Sequence, residues 1–214
     1  MTTHTIFLIR HGTTEWIEQG IVHGSLDSPL SEYGRWEAQQ AANALMEHDI
    51  SHIYSSPQGR ALETAGIIAQ KLGDVPITQL DNLREMDLGC MEGRKDTSRN
   101  IKRYPLLAIV ILPIWFTIFG MSGEKQAHLK QRVMQAWRDI LAQTADGNIA
   151  VVSHSAALNA LTAQLPSDTH IEKKKRRNFT TCSISTVFID EQGQAVIKEI
   201  NNTKHITADK KHDD

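Results

Sequence analysis

Two short apolar runs, each ending abruptly at a polar pair, constrain this chain most. Thr5 to Ile9 stops at Arg10-His11, and Ile149 to Val152 stops at Ser153-His154. Runs of this length without alternation fit strands buried on both faces of a parallel sheet. Ile53-Tyr54, ending at Ser55-Ser56, is a shorter candidate of the same kind. Between them lie segments of helical period: Ala38, Ala41, Ala42, Leu45 and Met46 after a turn at Ser31 to Gly34, and Leu62, Ala65, Ala69 and Leu72. Ser56 is the expected N-cap of the second, with Pro57 at the first helical position. Leu129, Val133, Ala136, Trp137, Ile140 and Leu141 predict a longer helix opening near Ser122-Gly123-Glu124. Ser183 to Asp190 and Ala195 to Ile200 predict a closing hairpin around Gln192-Gly193. Strands alternating with helices argue for an α/β sandwich with a mostly parallel sheet.

With 214 residues the chain is long enough for a sizeable core, and residues 1–203 are expected to form one domain. Lys204 to Asp214 is expected to be a polar, frayed tail. A formal net charge of −2 gives no global field for nucleic acid. Cys90 and Cys182 are expected to stay reduced, and no Cys-x-x-Cys pair or Cys/His cluster has zinc spacing. The N-terminus carries no secretory pattern, so the cytoplasm is the expected location.

Ligand sites in parallel sheets lie beyond the carboxyl ends of strands, so His11 and His154 are expected to converge there. Arg60, in the first turn of the helix after Pro57, joins backbone N–H groups that favour an anion. A guanidinium fork can donate two hydrogen bonds to adjacent phosphoryl oxygens. Arg10 and Arg60 would disfavour an imidazolium and keep a nucleophilic histidine neutral. Glu85 is the best-placed candidate acid. Taken singly, each motif has a plainer reading: Arg60 a solvated helix residue, Arg84-Glu85 a surface pair, His154 a satisfied strand-end histidine. His48, His52, His128 and His170 read as surface or structural.

Taken in order, the blocks resemble the histidine phosphatase superfamily, the phosphoglycerate mutase-like proteins. Leu8 to Trp16 is similar to that family's opening signature, Leu26 to Gly34 and Ser55 to Ala65 to the next two blocks, and Leu83-Arg84-Glu85 with Gly89 and Glu92-Gly93 to its acid-bearing segment. Ser122-Gly123-Glu124, Val151 to His154 and Cys182 to Ser185 complete the series. The resemblance implies a three-layer α/β/α sandwich and hydrolysis of a small-molecule phosphomonoester without metal or organic cofactor. It makes His11 the phosphorylated nucleophile. Arg10, Arg60 and His154 would hold the phosphoryl oxygens, and Glu85 would carry the proton. Thr14, His23, Gly24 and Ser155 are expected to contact the substrate.

Three positions depart from the pattern. Ile17 stands where the family usually has Asn, Ser155 where a Gly usually follows the second histidine, and Thr13 where an acidic residue is common. After the acid, Met86 to Gly93 lacks the Arg-His-Tyr-Gly stretch typical of mutases, which favours the phosphatase branch.

Leu106 to Phe119 is strongly apolar and falls in an insertion spanning about 94–121. As a helix it would reach about 21 Å against a hydrocarbon core of roughly 30 Å, and Pro113 would kink it, so no membrane span is expected. It reads either as a lid selecting an apolar leaving group or as a buried cap or homodimer contact. Lys173 to Arg177, five basic residues in a row, reads as a solvated face or as a rim for a polyanion.

Two other functional classes fit parts of the chain. Ser153 to Ala157 resembles a serine-hydrolase elbow centred on Ser155, with Asp190 and His205 as poor partners. A non-catalytic phosphate-binding or interaction module is the other, and phosphoglycerate mutase-type transfer is the alternative within the family.

Overall fold

The computed structural model of the protein describes residues 3–95, 123–143, 147–168 and 179–207. The apolar segment 106–119, the basic run 173–177 and residues 208–214 lie outside them.

Strand β1 (His4–Arg10) packs Ile6 and Leu8 to one face and Phe7 and Ile9 to the other, the alternation a pleated strand dictates. It is central in a six-stranded sheet of order β3-β2-β4-β1-β5-β6. Here β2 is Ile50–Ser55, β3 Ile77–Gln79, β4 Asn148–Ser153, β5 Ile184–Ile189 and β6 Ala195–Asn202. The run β3-β2-β4-β1 is parallel, whereas β5 and β6 form the antiparallel hairpin expected at the end.

Helices cover both faces. Phe7, Ile9, Ala150 and Val152 pack against α2 (Glu32–Leu45) and α3 (Gly59–Lys71) through Ala38, Ala41, Ala65 and Ile68. Ile6, Leu8, Ile149 and Val151 pack against α4 (Gln126–Gln143) and α5 (Ser155–Thr162) through Val133, Trp137, Leu158 and Leu161. The result is the three-layer α/β/α arrangement. A short α1 (Glu15–Gln19) follows the first strand. Among the described residues no helix is long and apolar enough to cross a membrane.

Two local expectations are corrected. Pro57 does not begin α3: Gln58 is still extended, and the Ser56 hydroxyl accepts from the Gln58 N–H at 3.3 Å. The first free amides of α3, on Gly59 and Arg60, are capped instead by the Asp27 carboxylate from a distant loop. Nor is the tail frayed from its start. Lys204–Thr207 form α6, whose Ile206 is buried in the core shared with α2. Cys182 is buried, Cys90 is half-buried, and neither forms a disulfide.

Candidate active site

The register of the parallel strands brings three chain segments to one level. Arg10 pairs with Ser153, and Ser55 with Val152, so β1, β4 and β2 end side by side. Beyond those ends the His11 and His154 rings lie 5.1 Å apart, centroid to centroid.

His11 is 3 % exposed, and its Nδ1 lies 2.8 Å from the Gly12 carbonyl oxygen. A carbonyl only accepts, so Nδ1 carries the proton and the Nε2 lone pair is free. Burial pushes the ring's pKa well below the ordinary histidine value, and the Arg10 and Arg60 guanidiniums push it further. The ring is therefore held as the neutral tautomer that a nucleophile requires. His154, fully buried as the N-cap of α5, has its pKa lowered in the same way, first by burial and then by His11. Its Nε2 meets the Ser56 hydroxyl at 2.8 Å.

The guanidiniums flank this pair. Arg10 donates through Nη1 to the Phe179 carbonyl at 2.5 Å. Arg60, in the first turn of α3 and fully buried, donates to the Asp27 carboxylate (2.9 Å) and to the Leu26 and Gly24 carbonyls (2.8 and 3.0 Å). The Nε of Arg10, the Nε of Arg60 and the Nδ1 of His154 are buried without hydrogen-bond partners among the described residues. Buried polar atoms in this state are costly, so the two guanidinium Nε atoms beside His11 suit an anion with several acceptor oxygens.

Glu85 reaches the same region from the loop after β3. Its carboxyl group accepts from the Ala156 and Ala157 amides at the start of α5 (3.1 and 3.2 Å) and from its neighbour Met86. These bonds hold it at the start of α5.

Arg10, His11, Arg60 and Glu85 line one cavity of about 570 Å³. His23 and Gly24 line it too, as do Ile17 and Leu88. Thr14 is buried behind His23 and contacts its Nε2 at 2.8 Å. Burial and Arg60 lower the His23 pKa to about 4. His154 and Ser155 are not among the residues lining the cavity: His154 sits behind His11, and Ser155 is the first residue of α5. Asp190, the acid of the serine-hydrolase reading, follows Ile189, which pairs with His4 at the far end of the sheet. It closes the β5–β6 turn through the Gln192 and Gln194 amides, so no Ser155–His205–Asp190 triad forms. Among the described residues no group of three His, Cys, Asp or Glu side chains could hold a metal ion.

Sequence patterns passed over several residues that shape this site. Glu37, 2 % exposed on α2, accepts from the Thr13 amide (2.8 Å) and the Thr181 hydroxyl (2.7 Å), bracing the loop after His11. Its one signal was a carboxylate within a stripe of buried alanines. Gln58 links Glu85 to the loop at Gly24 and Ser25. Thr64 accepts from the Gly12 amide and donates to the Arg60 carbonyl, tying the His11 loop to α3.

A profile of the histidine phosphatase superfamily (branch 1) matches residues 6–203. The chain belongs to that superfamily. It is 32% identical to a probable phosphoglycerate mutase GpmB of Proteus mirabilis, over 94% of each chain. It is 27% identical to a probable phosphatase of Schizosaccharomyces pombe, covering 95% of this chain and 96% of the other. Among solved structures it is similar to the phosphoserine phosphatase of Entamoeba histolytica in complex with 3-phosphoglyceric acid. That likeness has a TM-score of 0.71 and 28% identity, covering 95% of this chain and 99% of that one. The superfamily thus places both phosphatases and mutases beside this sequence.

Proposed function

We propose that the protein is a metal-independent phosphomonoesterase that passes its phosphoryl group through His11. The observation that carries this reading is the His11 ring. Its Nδ1 is locked to the Gly12 carbonyl and its Nε2 is free, in a buried pocket between two guanidiniums.

In the first step Nε2 bonds to phosphorus while the P–O bond to the alcohol breaks. The leaving oxygen takes a proton from the Glu85 carboxyl group. In the second step the Glu85 carboxylate takes a proton from water, whose oxygen bonds to phosphorus as the N–P bond breaks. Inorganic phosphate leaves, and both His11 and Glu85 return to their starting state. Arg10 and Arg60 serve as the clamp, stabilising charge on the transferring phosphoryl group, while His154, off the cavity lining, packs against His11.

Hydrolysis is favoured over mutase transfer by what lines the cavity. A phosphoglycerate carries a carboxylate besides its phosphate. Among the described lining residues Arg10 and Arg60 are the only arginines or lysines, and the wall also includes Ile17, Ile21, Val22 and Leu88 beside Glu18. A substrate with a neutral or apolar alcohol suits that wall.

The test is turnover of 4-nitrophenyl phosphate with EDTA present, together with trapping of the phosphoenzyme. An acid-labile phosphohistidine that disappears in His11→Ala, along with turnover, is the expected result. Activity surviving in His11→Ala would defeat the reading. Interconversion of phosphoglycerates dependent on a bisphosphate primer, with little release of phosphate, would favour the mutase.

A further inference from the structure

We propose that Arg132 is a positioning residue for Glu85, clamping the acid's main chain and tying it to the segment at Gly123-Glu124. The inference rests on the reading of Glu85 as proton carrier.

Arg132 lies in the second turn of α4, with its side chain 13 % exposed. Its Nε and Nη2 donate to the two oxygens of Glu124, each at 2.7 Å. Its Nη1 donates to the Asn82 and Arg84 carbonyls at 3.0 and 2.7 Å, and Nη2 also to the Glu85 carbonyl at 3.0 Å. A guanidinium has five N–H groups, and these five acceptors use all of them. Arg132 thus differs from Arg10 and Arg60, whose Nε atoms lack partners among the described residues. It has no donor left for a substrate, and its whole fork is spent on protein.

Glu85 is consequently held at three points. Its amide donates to the Gln58 side chain at 2.7 Å, its carbonyl accepts from Arg132, and its carboxyl group rests on the first amides of α5. A proton must be delivered along one line to a leaving oxygen, so an acid on a loop needs both of its peptide groups fixed. Arg132 meets that need because a planar fork reaches several carbonyls at once, which a lysine ammonium cannot reproduce.

Glu124 extends the clamp. Its amide donates to the Asp87 carbonyl at 2.8 Å, and a β-carbon on Gly123 would come within 2.5 Å of that oxygen. The chain at 123–124 therefore runs in backbone contact with the segment just after the acid. The Arg132 hydrogen bond holds the Glu124 carboxyl below the usual carboxylate range, so the pair stays ionised near neutrality.

The test measures kcat/KM, which reports transfer to His11 only, on 4-nitrophenyl phosphate and on a simple alkyl phosphate. An alkyl alcohol needs the acid's proton to leave, and a nitrophenolate needs it far less. Glu85→Gln should lose roughly a hundredfold on the alkyl ester and little on the aryl ester. Arg132→Met should show the same selective loss, Arg132→Lys should not restore it, and adding Arg132→Met to Glu85→Gln should not widen the ratio. Glu124→Gln, which keeps the arginine in place, should show a smaller loss of the same kind and serves where Arg132→Met does not fold. Equal losses on both esters in Arg132→Lys and Glu124→Gln, beside a selective loss in Glu85→Gln, overturn the proposal and make the clamp merely structural. A Glu85→Gln variant that treats both esters alike removes Glu85 as the acid, and the positioning role with it.

Discussion

The His11 and His154 rings stand 5.1 Å apart at the ends of two adjacent parallel strands, and His11 helps keep His154 from accepting a proton. Burial is the larger cause for both, and the flanking guanidiniums add to it. The rings of His11 and His154 should therefore still be neutral near pH 6.5, where an unperturbed histidine is half protonated. Histidine NMR of the full chain, assigned with His11→Ala and His154→Ala, checks this. A midpoint near 6.5 for either ring would contradict the burial argument.

The same shifts make stability depend on pH. His11, His154 and His23 have folded pKa values below the unfolded value, His23 at about 4. Below about pH 6.5 the unfolded chain binds more protons than the folded one, so stability falls as pH drops through that window and is complete above it. The urea midpoint should be level between pH 7 and 8 and decline steadily from 6.5 to 5. A midpoint that rises on acidification would refute the sign. Asp27, Glu92 and Glu124, all lowered, add their own loss only further into acid.

Gly34 and Gly66 should respond oppositely to alanine. A β-carbon on Gly34 would come within 1.8 Å of the Thr13 carbonyl oxygen, in the loop that carries His11. Gly34→Ala is expected to destabilise by about 1–3 kcal/mol and to lower turnover by moving that loop. Gly66, inside α3, would meet nothing within 4 Å, and Gly66→Ala should stabilise by about 0.5–1 kcal/mol. Thermal melts of both variants decide it.

Glu37→Ala leaves the buried Thr13 amide and the Thr181 hydroxyl without their acceptor. The expected cost is about 1–3 kcal/mol for each group that finds no replacement. Glu37→Gln keeps an acceptor and should recover most of the loss. If Glu37→Ala melts like the parent protein, the network is not bracing the His11 loop.

Ile17 lines the cavity with an apolar side chain. Ile17→Asn adds a donor and should tighten inhibition by inorganic phosphate or vanadate by roughly 2- to 10-fold, the yield of one ordinary hydrogen bond. Weaker inhibition would mean that Ile17 serves the substrate's apolar part instead.

Much of the fold was legible because its signals are local. Buried strands announce themselves as apolar runs, as at Thr5 to Ile9 and Ile149 to Val152, and α2, α3 and α4 follow helical stripes. β3 escaped notice because Ile77–Gln79 is three residues on a sheet edge, too short for any period. The start of α3 was misread at Pro57 because its cap comes from Asp27, a contact between loops that sequence spacing does not encode. The same holds for Glu37, Gln58 and Arg132, ordinary polar residues until their partners from other segments surround them.

The sequence by itself determined the α/β class, the order of the motif blocks and the identity of His11, Arg10, Arg60, Glu85 and His154 as the groups to watch. Each of those signals depends on neighbours along the chain. The tertiary structure alone decided which nitrogen of His11 is free, that His154 lies behind it and off the cavity wall, and that Arg132 is fully spent on holding Glu85. Hydrogen-bond direction and burial are properties of groups brought together from distant segments, and they exist only once the sheet has set its register.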